Sequence, residues 1–482
     1  MASLKPGLRM APLLAAALLA ACGSAPVGPN YQQPADALAS QPDAARPFLG
    51  GQAGESGAPM FSSEPLPAHW WRLYQDARLD RLVAQALERN TDLRQAVANL
   101  ERVQAIADEV AGGKRPTFAV SGGPSFGHAS GLSMLRKDYE PPNAFHYSAG
   151  ASLSYQVDLF GQIQRALEAA SASSEAAQAA LDLVRVNVAA GTARAYAEVC
   201  TTGLRLQSAR RSVQVQAEAL DVTERLQRAG RAGTIDAVRA RAQLRQLDAA
   251  VPPLEAQRQG ALYRLATFTG VLPQDFDRDM AGCATPPRVT GTLPVGDGAA
   301  LLRRRPDIRQ AERGLAEATA RIGVAVADLY PKVSLGLSAA SVGAGSGFGG
   351  RDTFSWSLGP LISWTIPNTG TAQARIAQAE AATRAAAAKF DGTVLTALRE
   401  TETALNTYAR ELDRRANLQA AREDSAQVAE QARALYTQGK TGYLEALDAE
   451  RSLAASEAAL AASEAQLADD QVGLFLALGG GW

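Results

Sequence analysis

Phe145-His-Tyr-Ser-Ala-Gly-Ala-Ser-Leu-Ser-Tyr-Gln-Val-Asp-Leu159 alternates apolar and polar residues without a fault. Phe145, Tyr147, Ala149, Ala151, Leu153, Tyr155, Val157 and Leu159 fall on one face; His146, Ser148, Gly150, Ser152, Ser154, Gln156 and Asp158 fall on the other. A period of two means an extended strand with one dry face and one wet face. The pattern returns later in the chain. Val333, Leu335, Leu337 and Ala339 alternate with Ser334, Gly336 and Ser338, and Phe354, Trp356, Leu358, Ile362, Trp364 and Ile366 alternate with Ser355, Ser357, Gly359, Ser363 and Thr365. The segment 117–126 is weaker: Phe118 and Val120 share a face before Gly and Pro intervene.

Length and edges separate a soluble strand from a membrane strand. A tilted membrane strand takes about ten residues, with aromatics near both ends. Phe145/Tyr147 and Tyr155 bracket one segment, and Phe354/Trp356 and Trp364 bracket another. A soluble sandwich needs more strands than these to hold a core beside long helices. The reading is therefore four membrane strands per chain, at about 117–126, 145–159, 333–340 and 354–366. Four strands cannot close, and lipid does not tolerate an open edge. Barrels begin near about eight strands, so the chain must oligomerise, as a dimer or a trimer. The Ser, Gly, Gln and Thr faces suit a watery lumen, and the Gly343–Gly350 loop points outward.

Comparison of the two halves reveals an internal repeat. Asp92-Leu-Arg-Gln-Ala96 matches Asp307-Ile-Arg-Gln-Ala311, and Pro116 matches Pro331, both at an offset of 215. Leu226, Gly230, Gly233, Ala237, Ala240 and Leu244 match Leu435, Gly439, Gly442, Ala446, Ala449 and Leu453 at an offset of 209. The difference of six falls between segments 117–154 and 332–363, as loop length. The repeats are 66–285, with a helical hairpin over about 161–268, and 286–482, with one over about 372–477. A helix of some 69 residues reaches roughly 100 Å. Gly230–Gly233 and Gly439–Gly442 turn the chain back, and Pro252-Pro253 breaks or kinks the first return helix.

The N-terminus reads as an export signal over residues 1–21: Lys5 and Arg9, then the apolar run Ala11–Ala21. Leu19-Ala20-Ala21-Cys22 has the small-residue approach of a bacterial lipobox, which makes Cys22 the lipidated mature N-terminus. Gly23, in place of the Asp that retains lipoproteins at the inner membrane, implies outer-membrane sorting. Residues 22–65, rich in Pro, Gly, Ser and Ala, read as a lipidated extended tether without a core. The remaining thiols, Cys200 and Cys283, meet an oxidising compartment, which allows a bridge; two unrelated buried thiols are the alternative.

Composition narrows the chemistry. The 482 residues hold 48 Lys+Arg against 49 Asp+Glu, which excludes a nucleic-acid partner recruited by bulk charge. At 46% hydrophobic residues the chain folds. The three His, at 69, 128 and 146, have no zinc-ligand spacing, so no metal is expected. Gly439-Lys440-Thr441 resembles a phosphate-loop ending, but Ala434 stands where the first Gly belongs and a helix precedes it. Gly345-Ser-Gly347-Phe-Gly-Gly350 lacks the strand–helix frame of a dinucleotide site. Glu400 and Glu402 lie on a helix without a cleft, and no nucleophile constellation is present, so no enzyme is expected.

Several runs carry a family resemblance: Pro29-Asn-Tyr31, Trp71-Arg-Leu-Tyr-Gln-Asp76, Tyr155-Gln-Val-Asp-Leu-Phe-Gly161, Leu302-Arg-Arg-Arg-Pro-Asp-Ile308, Ala320-Arg-Ile-Gly323 through Tyr330-Pro331, and the terminal Ala477-Leu-Gly-Gly-Gly-Trp482. Together they resemble the outer-membrane lipoproteins of tripartite efflux systems, the OprM/NodT branch of the TolC superfamily. The resemblance implies a TolC-like, mainly α fold with a membrane β-barrel part, in which a homotrimer forms a twelve-stranded barrel and an α-helical tunnel. It implies a passive duct for small toxic compounds or drugs, lipid-anchored in the bacterial outer membrane and extending into the periplasm. The partners implied are a periplasmic adaptor and an inner-membrane pump of the RND type. A protein-secretion channel and a non-pore structural envelope lipoprotein are the competing readings. Many relatives narrow the periplasmic entrance with an Asp in the second turn; here Thr441 occupies that position. The constriction is accordingly assigned to Thr441 and Tyr443, with Asp236 and Glu445 as nearby acids. Cys200 and Cys283 also resemble a pair seen in some members of this branch. No cofactor is implied beyond the lipid on Cys22.

Overall fold

The computed structural model describes residues 26–50, 60–128, 130–289, 291–347, 349–366 and 369–480. The expected signal segment and Cys22 lie outside these residues. In chain order the elements are β1 (Phe61–Ser62), α1 (Ala77–Arg89), α2 (Thr91–Gly112), β2 (Thr117–Gly127), β3 (Ala144–Val157), α3 (Gln162–Arg228), α4 (Thr234–Asp248) and α5 (Val251–Phe268). Then follow β4 (Leu293–Pro294), α6 (Gly298–Arg304), α7 (Pro306–Ala327), β5 (Lys332–Ala344), β6 (Phe354–Ser363), α8 (Thr369–Thr437) and α9 (Tyr443–Ala477).

The repeat is visible in the elements. α2 and α7 each hold 22 residues, and α3 and α8 hold 67 and 69. The length difference falls in the turns between paired strands, which hold 16 residues at 128–143 in one half and nine at 345–353 in the other.

The chain divides into two compact units. One comprises, of the described residues, 26–33, Leu100–Ala177 and Ala311–Lys389. It holds a four-stranded antiparallel sheet in the order β2-β3-β5-β6. The strands differ in length from their sequence patterns. β5 continues to Ala344 rather than stopping at 340, because its ladder with β3 runs on to His146↔Ala344 after hydropathy stops alternating. β6 ends at Ser363, leaving Trp364 and Ile366 outside, because its partner strand starts at Lys332. The residue before it is Pro331, which has no N–H for another rung. β2 covers 117–127 through Gly122, Gly123 and Pro124, and β3 covers 144–157 rather than 145–159.

The other unit comprises Pro34–Asn99, Gln178–Gln310 and Phe390 onward. Its core is built on Trp70, which is fully buried, with the Phe475 ring 4.9 Å away and Tyr74, Leu79, Val83, Val199, Leu265, Leu293 and Leu405 around it. The described residues within 34–65 depart from the coreless tether that the composition of 22–65 predicts. Phe48 and Phe61 join this core, and β1 pairs in parallel with β4 through Phe61↔Leu293. The Leu49 and Gly50 amides bond the Glu402 carboxylate at 2.8 and 2.7 Å. Two large aromatic side chains are enough to dock a polar-rich segment when the opposite surface offers a slot for each.

The Arg-Arg-Arg-Pro-Asp run ties this unit together. The Arg304 guanidinium donates to the carbonyls of Leu66, Pro67 and Gly479. Arg305 donates to the Ala477 carbonyl at 2.9 Å and to Asp307 and Glu400 at 2.7 and 2.9 Å. Burial disfavours the Arg305 charge, but the two carboxylates outweigh it and hold its pKa above the ordinary guanidinium range. Pro252 sits in the first turn of α5, where its missing N–H is not needed, so the chain breaks between α4 and α5 at 249–250.

Candidate functional site: an apolar sheet face and two glycine-bounded turns

Register converts four separate alternations into one surface. Phe118↔Leu153, Val120↔Ala151 and Phe126↔Phe145 join β2 to β3. Tyr155↔Leu335 and Leu153↔Leu337 join β3 to β5, and Leu337↔Leu358, Ala339↔Trp356 and Val333↔Ile362 join β5 to β6. Opposite residues point to the same side, so every apolar set lies on one face. That face is bare in the single chain: Val120 is 73% exposed, Leu358 70% and Trp356 68%. The other face carries Ser121, Ser148, Ser152, Ser154, Ser334, Ser338 and Ser357, with the Ser338 and Ser357 hydroxyls 2.8 Å apart. A contiguous apolar surface of this size is a solvent mismatch in water and a match in hydrocarbon. β2 and β6 form the outer edges, and Pro124 and Pro360 lie in these strands, where a missing N–H is tolerated. No helix among the described residues is long and apolar enough to cross a membrane.

The two turns lie between α3 and α4 and between α8 and α9. Gly230 and Gly439 adopt φ of +71° and +72°, which any side chain would strain. Asp236 is occupied as a cap: its carboxylate accepts the Gly233 amide at 3.2 Å at the start of α4. Tyr443 is buried against Tyr436, ring centroids 5.6 Å apart, in a cluster with Ala240 and Leu447. Its ring therefore belongs to the packing of the turn rather than to an open surface. Burial, the main cause, raises the Tyr443 pKa. Thr441 is half-buried in the turn, its Oγ1 lacking a hydrogen-bond partner, while Glu445 is exposed in the first turn of α9. The four residues assigned to a constriction thus hold different positions: a cap, a core ring, a turn and an exposed carboxylate. Lys440, part of the rejected phosphate-loop match, is exposed beside Thr441.

Cys200 and Cys283 are joined by a disulfide with an S–S distance of 2.03 Å. Among the described residues no group of three or more His, Cys, Asp or Glu could hold a metal ion.

Comparisons with known proteins place this geometry. The family described as outer membrane efflux protein matches residues 82–271 and 299–480. The outer membrane protein OprJ of Pseudomonas aeruginosa is 31% identical over 99% of this chain and 97% of that protein. The toluene efflux pump outer membrane protein TtgI of Pseudomonas putida is 30% identical over 98% of each. Among solved structures, the outer-membrane channel OprN matches with a TM-score of 0.86 and 35% identity, over 95% of this chain and 99% of that chain. The chain belongs to the outer membrane efflux protein family, within the TolC superfamily. It is an outer-membrane efflux duct of TolC-like fold, placed in the bacterial outer membrane and reaching into the periplasm.

Proposed function

We propose that three copies of this chain close their sheets edge to edge into a twelve-stranded barrel that continues into a helical tunnel, forming a passive export duct. The carrying observation is the register-matched apolar face between two unpaired edge strands, β2 and β6. Lipid covers the apolar face, and a neighbouring copy supplies the partner for each edge. A structural envelope lipoprotein without a pore would leave the same face in water, and the exposure of Trp356 and Leu358 weighs against it.

The duct performs no catalysis and takes no cofactor besides the lipid on Cys22. Its cargo is small toxic compounds or drugs, handed over by an inner-membrane pump of the RND type through a periplasmic adaptor. The similarity to TtgI, the outer membrane protein of a toluene efflux pump, supports a small apolar cargo. Thr441 and Glu445 line the narrow entrance, with Tyr443 and Asp236 shaping the turns that carry them. Planar-bilayer recording of the purified lipidated protein tests the reading: discrete conductance steps are expected, and silent membranes containing inserted protein would overturn it.

A further inference from the structure

Three motifs from distant parts of the sequence meet at one place within the sheet-bearing unit. The Arg165 side chain, 3% exposed at the start of α3, donates to the Val27 carbonyl at 3.0 Å, the Gly28 carbonyl at 3.0 Å, the Pro26 carbonyl at 3.3 Å and Asn30 Oδ1 at 2.8 Å. Its remaining contact is Glu168 at 2.7 Å. The Val27 amide donates to the Phe160 carbonyl at 3.2 Å. Further along, the Tyr31 hydroxyl donates to Glu312 at 2.5 Å, and the Arg313 guanidinium lies 5.7 Å over the Tyr31 ring.

The floor of this site has no room for side chains. A Cβ on Gly28 would sit 2.5 Å from the Gly323 Cα. One on Gly323 would sit 2.7 Å from the Arg165 Cγ and 2.8 Å from the Val27 oxygen, and one on Gly161 would sit 2.5 Å from the Pro26 Cβ. A solvated tether requires neither a buried arginine nor a slot cleared of side chains. Without residues 26–30, buried guanidinium donors would lose their acceptors, which is costly for a charged group.

We propose that Gly28, Gly161, Gly323 and Arg165 form a lipid-positioning socket. It seats the segment that follows Cys22 so that the acyl groups enter the bilayer beside the ends of β3 and β5. The proposal rests on the reading of Cys22 as the lipidated residue. Phe160 and Gly161 lie just past the last residue of β3, Val157. Cys22 precedes Pro26 by four residues, which span at most about 14 Å. That reach brings the strand ends within range of a group attached to Cys22, since Pro26 packs against Gly161 just past β3. Placing the acyl groups at the level of the apolar sheet lets the two membrane elements act on the same leaflet.

The test feeds cells a fatty acid bearing a photo-crosslinking group and maps its cross-links on the full-length protein by mass spectrometry. The wild type is expected to carry the label on Cys22 and to cross-link its own β3 and β5 ends. Arg165→Ala and Gly323→Val should keep the label and lose those cross-links by about tenfold or more, from the loss of charge-assisted bonds or of the slot. Arg165→Lys should fall between, since an ammonium cannot satisfy the same four acceptors. Labelled wild type whose cross-links avoid the strand ends would overturn the socket, even if the variants fail to fold. So would unchanged cross-links in a folded Arg165→Ala. Wild type carrying no label would instead overturn the lipidation of Cys22 on which the proposal stands.

Discussion

Tyr196 donates its hydroxyl hydrogen to the Asp76 carboxylate across 2.6 Å, and the same carboxylate caps α1 through the Arg78 and Leu79 amides. One side chain thus starts a helix and fastens it to α3. Burial, and then the bond to Asp76, hold the Tyr196 pKa well above the ordinary phenol range. Asp76→Ala should cost about 1–2 kcal/mol for the cap alone. Tyr196→Phe should cost about 0.5–1.5 kcal/mol for its hydrogen bond. Thermal unfolding of both single variants and the double variant should show non-additivity, because they share one bond. Strict additivity would contradict the coupling.

The sheet face makes a side-specific prediction. Leu358→Arg places a charge on the apolar face and should cost about 2–4 kcal/mol per chain if near the bilayer midplane. Ser357→Arg, one residue away on the opposite face, should cost far less. Heat-modifiable mobility in gels reads the difference: a lost barrel band for the first and a retained one for the second. Equal effects would place both faces in the same solvent.

Asp470 provides a pH test. Burial, chiefly, raises its pKa above the ordinary carboxylate value; Gln466 and Arg194 oppose the shift, and Asp469 and Glu411 add to it. One oxygen accepts from Gln466 at 2.8 Å, and the other has no partner. A carboxyl with a raised folded pKa weakens the fold once it ionises, so its penalty is absent below the unfolded pKa of about 3.9 and grows as pH rises through the folded value. Asp470→Asn should therefore stabilise the protein near neutral pH and lose that advantage in acid, as followed by melting temperature across pH. A pH-independent effect would contradict the sign.

The disulfide closes 83 residues of chain between Cys200 and Cys283. Removing it through the Cys200→Ser/Cys283→Ser pair should cost about 2–4 kcal/mol. The loss should concentrate on the 278–282 turn and the segment leading to β4, measured by hydrogen exchange. Unchanged protection there would show that the bridge is dispensable.

At the second turn, Thr441→Asp should raise cation preference in single-channel recordings, because a ring of acids favours cations. An unchanged reversal potential would remove Thr441 from the entrance.

The legible and illegible parts of this molecule differ in range. The 145–159 alternation could be read because a strand with lipid on one side and water on the other obeys period two residue by residue. Four such readings fixed the sheet's dry face, and the repeat located the turns at Gly230 and Gly439. Strand ends were less legible: β5 outlasts its pattern because pairing with β3 continues where hydropathy does not alternate. The docking of residues 26–50 is not legible in their composition, because it depends on partners far along the chain. Arg165 and Gly323 hold one part, and Glu402 holds another. Tyr443 shows the same limit at the turn: its position was clear from sequence, but the direction of its ring is set by Tyr436 and Leu447.

Four strands per chain leave two edges, which the proposed joining of three copies closes. Native mass spectrometry of the lipidated protein extracted from outer membranes tests it most directly. A species of three chains that survives mild detergent is expected. A stable, folded single chain would contradict it, because β2 and β6 would then stand unpaired in the membrane.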